Sequence, residues 1–135
     1  MADEPRIDPI QLGLVVAGGA VGALLRAALT LPSGSPVAVW VVNIAGSFLL
    51  GITVGALAEH HPRWRIFLGT GVLGAFTTYS AFAVSTVALL ASAPLLAVLG
   101  VVVSVLFGVL LAAVGLRLGG WIAAGRSRRS AGGAA

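Results

Sequence analysis

Four apolar stretches, each long enough to cross a lipid bilayer, decide what this chain is able to fold into. A hydrocarbon core of about 30 Å takes about 20 apolar residues per helix. The first stretch runs from Ile10 to Leu31, and "PSGSP" at 32–36 breaks it. The second runs from Val37 to Ala58 and gives way to a polar loop, "EHHPRWR" at 59–65, with Trp64 placed for a membrane interface. The third runs from Ile66 to Ala91, "SAP" at 92–94 turns the chain, and the fourth runs from Leu95 to Leu116. In lipid every backbone polar group must be bonded internally, so the expected fold class is an all-α integral membrane protein with four transmembrane helices. Charged residues are only 9% of the chain, against about 25% in soluble domains. The division expected is an N-terminal tail at 1–9, a four-helix transmembrane domain at 10–116 and an Arg-rich C-terminal tail at 117–135, disordered at its end. The first stretch is too long for the core of a signal peptide and is read as retained.

Charge narrows the function. All eight basic residues are Arg. No stripe of basic and aromatic residues accompanies them, so nucleic acid is not the expected partner and the lipid bilayer is. With four spans, the N-terminal tail, the 59–65 loop and the C-terminal tail share one side. That side holds Arg6, Arg63, Arg65, Arg117, Arg126, Arg128 and Arg129. The turns at 32–36 and 92–94 on the other side hold none, and only Arg26, near its helix end, counts there. The positive-inside tendency then predicts a multi-pass protein of the cell membrane with both termini in the cytoplasm. No Cys is present, which removes disulfides and thiolate metal sites. No Asp or Glu lies between Asp8 and Glu59, or after Glu59. A proton-coupled cation exporter needs such a carboxylate inside the membrane. No nucleophile, base and orienting group come together in the sequence, so an enzyme is not expected. His60 and His61 beside Glu59 read either as a solvated loop or as metal ligands.

The sparse polar residues inside the spans carry the rest. The third stretch would make a helix of roughly 39 Å at 1.5 Å per residue, longer than the bilayer needs. It also holds Gly69, Gly71 and Gly74, followed by Thr77, Thr78, Tyr79 and Ser80. Two readings stand. Small residues pack helices tightly in membranes. Alternatively the helix breaks, exposing carbonyls that suit a cation at one half-helix end and amides that suit an anion at the other. Asn43, Ser47 and Gly51 share one face of the second helix. Asn43 has donors to hold an anion or to bond a neighbouring helix. Arg26 shares a face with Gly18 and Gly22, placed either to snorkel or to give an anion vestibule its charge. Tyr79 with Phe82, and Thr78 with Phe82 and Thr86, form an aromatic and hydroxyl stripe. It serves packing, or it turns positive ring edges to a small anion. Ser104 is the only hydroxyl of the fourth stretch, and a bond back to its own helix is the expectation for it.

Taken together, "GALLRAALT", "NIAGSFLLG" and "GVLGAFTTYSAF" resemble the CrcB/Fluc fluoride channels over about residues 10 to 116. The resemblance implies a fluoride-selective channel that exports the anion passively and reduces its toxicity. It implies a third helix broken near mid-membrane, an antiparallel dimer, and a structural sodium ion at the dimer centre. By motif position it gives the sodium to the backbone carbonyls of Gly74 and Thr77. It gives the fluoride pathway to Asn43, Tyr79, Ser80, Phe82 and Ser104, and the vestibule to Arg26. Tyr79 stands where the family usually has Phe, and Ala81 where it usually has Thr or Ser. The seven-to-one Arg bias sits badly with one chain inserting both ways. The resemblance implies a second copy as the partner, whereas the Arg bias favours an oppositely oriented paralogue. A small multidrug-type exporter and a non-conducting accessory subunit are the rival readings.

Overall fold

The computed structural model describes residues 8–57 and 61–132, with side chains through Arg126. Arg6, Glu59, His60 and the side chains of Arg128 and Arg129 lie outside the described residues. The described chain is all helical: α1 (Pro9–Thr30), α2 (Pro36–Ala56), α3 (Pro62–Arg65), a π-helical segment (Ile66–Leu73), α4 (Gly74–Phe76), α5 (Tyr79–Ser92) and α6 (Pro94–Gly132). Four lengths are long and apolar enough to span a membrane: Pro9–Thr30, Pro36–Ala56, Pro62–Ser92 and Pro94–Arg126. The third is thus assembled from α3, the π segment, α4 and α5.

Local chemistry sets the helix starts. Pro9, Pro36 and Pro62 each stand in the first turn of a helix, where a missing N–H costs nothing. Asp8 Oδ1 accepts the Ile10 N–H at 2.9 Å and Ser35 Oγ accepts the Val37 N–H at 3.2 Å, the N-cap bonds that replace absent helical partners. Gly34, the only described residue with positive φ (56°), turns the chain between α1 and α2.

Two ends differ from the sequence expectation. The polar loop at 59–65 already contains the helical turn Pro62–Arg65, because proline pre-sets the helical φ there. The fourth helix does not stop at Leu116 but runs to Gly132. Ala, Leu and Arg at 116–129 favour helix, and no proline interrupts them, so the helix leaves the membrane without unwinding.

Packing goes through glycines. The first and third spans run parallel, with Gly18 against the Phe67 carbonyl and the Gly71 Cα, and Gly22 against the Val72 carbonyl. The second and fourth also run parallel: Gly51 meets the Ala112 carbonyl, Gly55 the Leu116 carbonyl, Gly115 the Phe48 carbonyl and Gly119 the Ile52 carbonyl. A side chain at any of these would collide with backbone. Gly100 leaves room for the Trp40 ring, whose buried Nε1 has no hydrogen-bond partner among the described residues. Few side chains are buried deeply; Val39, Trp40, Val42, Leu73, Phe76 and Ala97 make the apolar core. Most other large apolar groups face outward, as lipid or a second chain requires.

The glycine contacts make a stability prediction. Gly22→Ala drives a methyl into the Val72 carbonyl and is expected to destabilise the fold by about 1–3 kcal/mol through overpacking. Gly13→Ala, with nothing within 4 Å, is expected to be neutral. Unfolding in detergent compares the two, and equal stability would refute the contact.

Candidate functional site

The third span breaks at Thr77–Thr78, close to its middle. Both residues leave helical geometry, with φ −79° and ψ 149° at Thr77 and φ −147° and ψ 118° at Thr78. The glycines do not form the break. Gly69 and Gly71 lie in the π segment before it, and the Gly74 N–H bonds the carbonyls of Gly69 and Gly71. In a continuous helix Thr78 N–H would bond the Gly74 carbonyl and Ala81 N–H the Thr77 carbonyl. Here Thr78 N–H goes to Asn43 Oδ1 at 2.8 Å and Ala81 N–H goes to Thr78 Oγ1 at 3.3 Å. The carbonyls of Gly74 and Thr77 are therefore released from the donors a helix would give them.

Asn43 holds the break from α2. Its Nδ2 donates to the Thr78 carbonyl at 3.1 Å while its Oδ1 accepts the Thr78 N–H. The side-chain amide thus takes both backbone groups of one residue, as a neighbouring peptide would. Of the two readings open for Asn43, the structure shows the interhelical bond, and one Nδ2 hydrogen remains for another acceptor. Gly46, three residues on, seats the Thr77 methyl and the Phe76 ring. Thr78 is buried, and its hydroxyl also lies 3.2 Å from Ser80 Oγ.

Beside the break lies a groove of about 490 Å³ between α2, α5 and α6. It brings together Asn43, Thr77, Tyr79, Phe82 and Ser104 from the sequence expectation, along with Ser47 and Thr78. It does not include Ser80, Gly74 or Arg26. Ser80 reaches the groove only through the Thr78 hydroxyl. Arg26 stays on α1, half-buried, with Thr30 Oγ1 donating to its carbonyl at 2.9 Å. Gly108 and Ala112 line the wall with Ser104, and sequence reading missed them. Their spacing of four behind Ser104 was the available signal.

The hydroxyls divide into committed and uncommitted groups. Ser47 Oγ donates to the Asn43 carbonyl at 2.9 Å, Thr77 Oγ1 to the Leu73 carbonyl at 3.1 Å and Thr86 Oγ1 to the Phe82 carbonyl at 2.8 Å. Ser104 was expected to bond its own helix. Although buried to 7% exposure, its hydroxyl makes no hydrogen bond among the described residues and stands on the groove wall. Tyr79, 84% exposed, presents its phenol at the open side. The first amide of α5, at Tyr79 on the groove wall, has no helical acceptor, since the Thr77–Thr78 break precedes it. The groove therefore offers uncommitted donors in an apolar wall.

A family model described as "CrcB-like protein, Camphor Resistance (CrcB)" matches residues 13–116. Among curated relatives, the fluoride-specific ion channel FluC 2 of Bacillus subtilis is 42% identical over 120 residues, covering 85% of this chain and 92% of the relative. The fluoride-specific ion channel FluC of Thermus thermophilus is 43% identical over 119 residues, covering 79% and 91%. A FluC 2 of Corynebacterium jeikeium is 38% identical over 140 residues, covering 84% and 81%.

The Asn43 lock is testable by itself. Asn43→Ala strands both the N–H and the carbonyl of Thr78, at about 1–3 kcal/mol for each buried group. Amide exchange at Thr78 is expected to quicken at least about tenfold, since about 1.4 kcal/mol is a factor of ten. Unchanged exchange in the variant would show that something other than Asn43 holds the break.

Proposed function

The chain belongs to the CrcB-like protein family, and on that premise we propose that it is a fluoride-selective ion channel that lets cytoplasmic fluoride leave down its gradient. The observation that carries the reading is the groove at the break. A small, strongly hydrated anion leaves water only where donors replace its shell. The Ser104 hydroxyl, the spare Asn43 N–H, the Tyr79 phenol and the Tyr79 N–H are such donors. The Phe82 ring lines the same wall, where its positive edge favours an anion. No Asp or Glu lies within the spans, so nothing repels the anion and no carboxylate is there to couple transport to protons. Arg26, away from the groove, serves as a cationic vestibule that raises local anion concentration. Acid outside makes HF, which crosses lipid and dissociates within; the channel returns the trapped anion.

Support for a paired assembly comes from the open side of the groove. Tyr79 at 84% exposure and a pathway walled by α2, α5 and α6 of one chain call for a second chain to close it. An antiparallel partner places two such breaks back to back. The carbonyls of Gly74 and Thr77, released from helical bonding, fit a sodium ion, which takes oxygen ligands. Bound by these carbonyls, the ion would supply a fixed positive charge. The Arg bias argues for one fixed orientation with cytoplasmic termini in the cell membrane. The partner is then an oppositely oriented paralogue rather than a second copy. Of the three relatives described above, two are named FluC 2, a numbering that suits paired paralogues.

Two experiments test this. In reconstituted vesicles read by a fluoride electrode, Phe82→Ile keeps bulk and removes the ring. Efflux is expected to fall about tenfold with assembly intact, the worth of one ring-edge interaction; undiminished efflux rejects the ring's role. A C-terminal tag probed from each side of the membrane is expected to be cytoplasmic in nearly all molecules. An even split, or full efflux from the chain alone, rejects the paralogue pairing.

A further inference from the structure

A second groove, of about 340 Å³, lies away from the ion site, lined by Leu14, Arg63, Trp64 and Phe67. Its polarity runs in one direction. Leu14 and Phe67 each stand five residues in from the starts of their helices at Pro9 and Pro62, about 7.5 Å inward at 1.5 Å per residue. Arg63 and Trp64 stand in the first turn of the span, at its rim. The Trp64 ring packs edge-on to Phe67, with centroids 5.9 Å apart and planes at 85°. That contact fixes one wall of the groove and leaves Trp64 58% exposed. Among the described residues neither the Arg63 guanidinium nor the Trp64 indole N–H has a hydrogen-bond or ion-pair partner. Asp8, the one acidic residue described, spends its carboxylate on the α1 cap.

We propose that this groove seats one anionic phospholipid, its phosphate on Arg63 and the Trp64 indole N–H and an acyl chain against Leu14 and Phe67. A cation at the rim over an apolar floor matches the order of a lipid, headgroup outermost. A free anion would use only the rim, and a protein helix would leave the guanidinium unpaired. The lipid also bridges α1 and the head of the third span, the helices that meet through Gly18 and Gly71. The site does not depend on which ion the protein conducts.

The experiment uses the full chain purified in detergent, with phosphatidylglycerol and phosphatidylcholine as probes. Native mass spectrometry counts retained lipid, and thermal melting reads stabilisation. One phosphatidylglycerol per chain is expected to be retained in preference to phosphatidylcholine. Arg63→Gln is expected to weaken retention about tenfold, the scale of a lost charge-assisted hydrogen bond, and Arg63→Lys to keep most of it. Leu14→Phe, which fills the floor without changing charge, is also expected to lower it. Three results each overturn the proposal: equal retention of phosphatidylcholine, an equal loss in Arg117→Gln on the distant α6, or the same stabilisation by inorganic phosphate alone.

Discussion

The pairing of one side-chain amide with one backbone residue holds this structure's centre in place. In hydrocarbon an unbonded backbone group costs several kcal/mol, so a helix does not open there unless something else takes its N–H and carbonyl groups. Asn43 takes both from Thr78, at 2.8 and 3.1 Å. The Thr78 hydroxyl then takes Ala81 N–H, which caps the half-helix that follows. Because Asn43 sits on α2, the break is fixed to α2 rather than left to the third span alone. The groove lies beside that bond, with Asn43 and Thr78 both in its lining. Its walls come from α2 and α6, which meet through four backbone contacts at glycine, and its floor is the residue Asn43 holds.

Glycine has two uses in this chain, close backbone approach and loosening of the helix, and Gly71 serves both. Gly18, Gly22, Gly51, Gly55, Gly115 and Gly119 let backbones touch. Lipid gives helices no hydrophobic reason to associate, so close van der Waals approach does the work. Gly69 and Gly71 lie in eight residues of π helix, a wider turn usually confined to short bulges at functional places. There the helical ladder is already loosened before Thr77 leaves it.

Much of this was legible in the sequence, and what was not has physical causes. The spans were readable because lipid fixes their length and polarity. That the third one breaks near its middle was one of two readings left open by its surplus length, glycines and hydroxyls, and only the family resemblance chose it over tight packing. The residue at which it breaks was not. Glycine propensity points to 69–74, whereas the break falls at Thr77–Thr78 because Asn43, some 35 residues earlier in sequence, accepts that amide and no other. Propensity is local and this bond is not. The same reason hides the groove wall: Gly108 and Ala112 are ordinary small residues until α2 is laid against them. Past Leu116 a change in composition suggested a tail, but Arg and Ala are good helix formers, and α6 continues.

The break also explains how the middle of a membrane handles charge with no acid or base nearby. A full charge at that depth is costly, and the sequence places none there: Arg26 is near a helix end and no carboxylate enters a span. Opening the helix separates its dipole into two ends instead. Carbonyls of Gly74 to Thr77 collect on one side of the Thr77–Thr78 corner, and the amides of α5 collect on the other. Each end carries about half an elementary charge, held by peptide geometry and unable to titrate. The corner thus presents opposite partial charges, one suited to a cation and one to an anion, within one turn of the same backbone. Neither needs an ionised side chain, which would bind too tightly to let a conducted ion leave. Hydroxyls such as Ser104 add donors without adding charge. Thus the scarcity of charged residues in the spans is not merely a concession to lipid: it leaves the groove lined with peptide dipoles and hydroxyls rather than with ionised side chains.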